Sequence, residues 1–133
     1  MEITVQLAGG LKVNAHFKHF IVYTDQAKEV GGEETFPDPF SYFLSSLATC
    51  AGVFVVRFCQ SRNISTEGIQ LHMSNDWNKE KHKVDNLYLD IQVPPSFPEK
   101  YYSALVRAVN ECSVKRALME PPAMHVMTKV VEK

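Results

Sequence analysis

The chain has 133 residues, 45% of them hydrophobic and 22% charged, with a formal net charge of −1. That size and balance suit a single soluble α+β domain, 1–133, with its own core. Its lysines and glutamates are scattered, so it has no charged face for nucleic acid or an anionic membrane.

In chain order, residues 2–7 (EITVQL) alternate and predict a strand, and Gly9-Gly10 a turn. Residues 12–17 (KVNAHF) and 20–24 (FIVYT) predict two more strands, giving an N-terminal meander. Residues 25–38 are polar, with Gly31-Gly32 and Pro37, and predict a loop. Asp38 is the expected N-cap and Pro39 the first residue of a helix running to about Arg62. Residues 68–74 (GIQLHMS) predict a strand, 75–83 a charged hairpin tip carrying Trp77, and 84–93 a second strand. Pro94-Pro95 ends it. Residues 99–110 predict a helix whose apolar stripe is Tyr102, Leu105, Val106 and Val109. A short helix over about 113–119 stops at Pro121-Pro122, and 124–131 (MHVMTKVV) predict a closing strand. The order β-β-β-α-β-β-α-α-β describes antiparallel sheet with helices on it.

Residues 39–56 (PFSYFLSSLATCAGVFVV) carry no charge, which reaches the lower length limit of a membrane span. Ser41, Ser45, Ser46, Thr49 and Gly52 interrupt the run, and the rest of the chain is patterned as soluble. A helix apolar on all sides is then a core helix. A small domain struggles to surround such a helix, so a homodimer with the helix packed between subunits is expected. The N-terminus lacks a basic segment followed by an apolar one, which predicts a cytoplasmic protein.

Three cysteines, Cys50, Cys59 and Cys112, do not suit a closed disulfide framework in a reducing compartment. At about 100° per residue, Phe43, Ser46, Leu47, Val53, Phe54 and Arg57 share the face of Cys50. Phe43, Leu47 and Phe54 are expected to line an apolar pocket there. Cys59 is out of phase and reads as packing. Cys112 precedes a helix whose first amides, with Lys115 and Arg116 close by, are expected to lower its pKa. The five histidines (His16, His19, His72, His82, His125) show no metal-ligand spacing, and no cofactor motif is present, so neither metal nor cofactor is expected.

Pro39 followed eleven residues later by Cys50 in PFSYFLSSLATC, together with CSVKRAL around Cys112, resembles the osmotically induced protein C / organic hydroperoxide resistance (OsmC/Ohr) superfamily. The order of elements is similar over nearly the whole chain. The resemblance implies an OsmC-like fold and an intertwined homodimer with sites at the subunit interface. It implies a thiol peroxidase that reduces small organic hydroperoxides and is recycled by an external dithiol. By position, Cys50 is the peroxidatic thiol and Cys112 the resolving one. Two family features are missing: Phe40 and Ser41 follow the proline where peroxidase members carry a glutamate, and no arginine lies N-terminally. Lys18, His16, His19, Arg57 and Arg116 are the candidates to hold the thiolate instead. The alternative is a non-enzymatic dimer of the same fold that binds a small apolar ligand, its cysteines not catalytic.

Overall fold

The computed structural model describes residues 1–132. The chain divides into two compact units, Met1–Ser46 and Leu47–Lys133, and the boundary falls within one long helix.

The first unit is the expected meander. Strands β1 (Thr4–Leu7), β2 (Val13–Phe17) and β3 (Phe20–Thr24) pair antiparallel in the order β1-β2-β3. Gly9 and Gly10 take positive φ angles of 96° and 56°, which turns β1 into β2 at no steric cost. Lys18 adopts φ 52° in the two-residue link between Phe17 and Phe20. The following loop is organised by one buried carboxylate. Asp25 accepts hydrogen bonds from the Gln26 N–H (2.8 Å), the Thr35 N–H (3.0 Å) and the Thr35 hydroxyl (2.8 Å). Lys12 and Glu33 form an ion pair across the same loop.

Helix α1 (Pro39–Gln60) starts where local chemistry says it should. Asp38 caps it, accepting from the N–H groups of Phe40 (2.9 Å) and Ser41 (3.1 Å) and from the Ser41 hydroxyl. The helix stops two residues earlier than the sequence predicts. Asn63 sits in the left-handed region at φ 55°, and the Ile64 N–H reaches back to the Cys59 carbonyl at 3.0 Å. That is a Schellman closure with asparagine in the glycine position.

In the second unit, Ala51, Val55, Phe58 and Cys59 of α1 form the core with Phe97, Leu105 and Val109. Strands β4 (Gln70–Asn78) and β5 (Lys83–Gln92) make a two-stranded antiparallel sheet. A 3₁₀ turn over Glu99–Tyr101 leads into α2 (Tyr102–Asn110), and α3 (Ser113–Met119) follows. In α2, Leu105 and Val109 are buried as the stripe requires, whereas Tyr102 and Val106 stay largely exposed.

Two expectations need correction here. The hairpin tip is shorter than 75–83, because β4 runs on through Trp77 to Asn78. Cross-strand polar pairs sustain it: Asp76 accepts from the Tyr88 hydroxyl at 2.8 Å and from the Asn86 amide at 3.2 Å. The closing strand is absent. Residues 124–131 have no regular structure, and Met124, Val126, Met127, Val130 and Val131 are all strongly exposed. A strand needs a ladder partner, and among the described residues none lies alongside.

Candidate functional site

The second unit brings Cys50 and Cys112 together. Cys50 projects from α1 and is only half-buried, while Cys112 stands one residue before α3 at 2% exposure. The carbonyl of Cys112 accepts the Arg116 N–H at 3.0 Å, so the first turn of α3 is built on the cysteine itself. The next residue, Ser113, puts its hydroxyl oxygen 3.7 Å from Cys50 Sγ. All three cysteines are free thiols.

The two thiols are polarised in opposite senses. Cys50 is lowered to about 7, first by the Cys112 thiol donating to it and then by the Val114 N–H. Burial opposes this, and the Ser113 hydroxyl and N–H add to the lowering. Cys112 is raised, first by burial and then by the neighbouring Cys50, against weaker help from the Lys115 and Val114 N–H groups. At neutral pH one sulfur is therefore an acceptor and the other its donor. This corrects the expectation for Cys112. The α3 amides do favour a thiolate, but the sulfur with access to water is Cys50, and burial dominates at Cys112.

The remaining candidates are dispersed. Arg57 lies with its guanidinium 6.0 Å from the Phe54 ring centre, and Arg116 pairs with Glu111 at 3.2 Å. Neither contributes to the lowering at Cys50. Leu47 is buried and helps to wall a cavity of about 570 Å³ with Met73, Leu89, Val109, Leu118 and Cys112. Phe54 packs against the core instead, and Phe43, in the first unit, sits 5.4 Å from Phe40 between ring centres. A shared azimuth on a helix says which face a residue occupies, not what covers it. Cys59 is fully buried and its thiol is pushed up by burial, as suits packing. Ser113 was missed by the sequence reading. Its one visible signal was a hydroxyl at the first position of the helix that starts beside Cys112.

Among the described residues, no three His, Cys, Asp or Glu side chains converge on a metal-sized site. The Cys50–Cys112 pair instead offers one ionisable, reachable sulfur and one shielded reserve thiol.

Residues 31–126 match the family model of OsmC-like protein. The chain belongs to the OsmC-like family. No curated protein sequence matches this OsmC-like chain. Several solved structures share its fold. One is a candidate osmotic stress induced and detoxification response protein from Psychrobacter arcticus 273-4, at 16% identity and a TM-score of 0.74, covering 86% of this chain and 85% of that one. Another is an OsmC-like protein from Mycoplasma pneumoniae, at 17% identity and 0.68, covering 90% and 87%. A third is an organic hydroperoxide resistance protein OsmC from Legionella pneumophila, at 19% identity and 0.55, covering 89% of each. In this OsmC-like chain α1 has the length and composition of a membrane span, and less than a third of the apolar stretch is buried in one copy. Family membership makes it the core helix of a soluble fold.

Proposed function

We propose that this protein is a cytoplasmic, homodimeric thiol peroxidase that reduces small organic hydroperoxides. The observation that carries the reading is the contact between Cys50 and Cys112, with Cys50 poised near 7 and Cys112 raised. At neutral pH about half of Cys50 is then thiolate, against a few per cent for an ordinary cysteine. The name of the Legionella neighbour points to the same class of substrate.

The Cys50 thiolate attacks the hydroperoxide O–O bond. An S–O bond forms, the O–O bond breaks, and the leaving alkoxide takes a proton to become an alcohol. Cys50 is now a sulfenic acid, oxidised by two electrons. It has lost the negative charge that raised Cys112, so Cys112 ionises more readily. Its thiolate attacks the sulfenic sulfur, the S–S bond forms, and hydroxide leaves with the former Cys112 proton as water. An external dithiol then reduces the disulfide by two exchanges and is itself oxidised.

The apolar cavity beside Cys112 gives the non-enzymatic reading its footing, since its walls suit a small apolar ligand. A turnover assay separates the two. With excess dithiothreitol, cumene hydroperoxide should be consumed catalytically by the wild type, and Cys50→Ser should abolish consumption. Stoichiometric or no consumption by the wild type favours ligand binding.

A further inference from the structure

Among the described residues of one copy, the groups that lower Cys50 include no guanidinium and no ammonium. Arg57 is occupied over Phe54 and Arg116 with Glu111, and the Lys115 ammonium bonds the Asn110 side chain. What faces the sulfur is Cys112 and the opening turn of α3. Of these groups, one side chain has no other assigned task. The Ser113 hydroxyl lies 3.7 Å from Cys50 Sγ, and among the described residues it makes no other hydrogen bond. A thiol can donate or accept, so the direction of this bond is open while Cys50 is protonated. Once Cys50 ionises it carries no proton, and only Ser113 can donate. A donor that strengthens on ionisation favours the ionised form.

We propose that the Ser113 hydroxyl is a catalytic group of this site, donating to Cys50 Sγ and favouring its thiolate. This deepens the peroxidase reading and rests on Cys50 being its reactive sulfur. Ser113 is exposed, so removing its hydroxyl leaves no buried void. Alanine at this position keeps the N–H groups of residues 113 and 114, and the change therefore isolates the hydroxyl.

The test measures carbamidomethylation of Cys50 by iodoacetamide against pH, resolved at the Cys50 peptide by mass spectrometry. It needs no peroxide turnover. For the wild type the midpoint should fall at about 7. Ser113→Ala should raise it by about half to one pH unit, the value of one neutral hydrogen bond. Ser113→Thr, which keeps the hydroxyl, should restore the wild-type midpoint. The profiles should also cross. The alanine variant reacts more slowly below pH 7, yet up to about threefold faster at high pH, because a more basic thiolate is the better nucleophile. An unchanged midpoint in Ser113→Ala, or a raised one that threonine does not restore, overturns the proposal. Absence of hydroperoxide turnover in every variant, with the midpoints moving as described, would overturn the peroxidase reading and leave the role of Ser113 at Cys50 standing.

Discussion

At Cys50 and Cys112 two identical side chains acquire different chemistry from a difference in access to water. Cys50 keeps partial contact with solvent and receives donors, whereas Cys112 is enclosed and becomes a donor. The sequence marks both residues, because an apolar helix and a helix start are local patterns. It does not show whose sulfur receives the α3 amides, since that depends on a contact between residues 63 positions apart. Asp25 teaches the same lesson. In sequence it is one polar residue in a polar loop, yet it is buried and its carboxylate is lowered to about 2, chiefly by the Thr35 N–H. An unfolded aspartate titrates at about 3.9. The folded value is the lower one, so the stabilisation is complete above about pH 4 and fades as pH falls towards 2. Asp25→Asn should therefore be less stable than wild type at pH 6 in urea melts, and the gap should narrow between about pH 4 and 2. A gap that stays constant over that range contradicts the assignment.

Among the elements, those with local start and stop signals were the legible ones. The Asp38 cap and Pro39 locate the start of α1 to the residue, and Asn63 ends it within two residues of expectation. Strand β4 ran longer than its apolar alternation because Asp76 pairs with Asn86 and Tyr88 across the sheet. The pattern at 124–131 reads as strand, but a pattern cannot supply a neighbour to pair with. Helix α1 has the related problem of an apolar face without cover in one copy. Val53 and Val56, three residues apart, are 47% and 42% exposed. Together with Gly52, Ile69 and Leu71 they line an open groove of about 550 Å³. If this face seats a second copy, light scattering should give twice the 15.1 kDa chain mass, and Val53→Lys with Val56→Lys should give monomers. A wild-type monomer at micromolar concentration contradicts the dimer.

For the whole molecule, the family was legible from two short stretches around Pro39, Cys50 and Cys112. The family model begins only at residue 31, so the meander β1–β3 lies wholly outside it, while the solved neighbours cover 86% and 90% of the chain. Large apolar side chains stand exposed in both units, including Val5 and Leu7 in the first and Trp77 and Met119 in the second. That surplus suits a chain completed by assembly. The chemistry turns on whether Cys50 and Cys112 form a redox pair, and intact mass after one equivalent of cumene hydroperoxide tests this most directly. The wild type should lose two hydrogens as the disulfide closes, Cys112→Ser should gain oxygen at Cys50, and Cys50→Ser should stay unmodified. A wild type that keeps its mass, or a Cys50→Ser variant that loses two hydrogens equally well, contradicts the account.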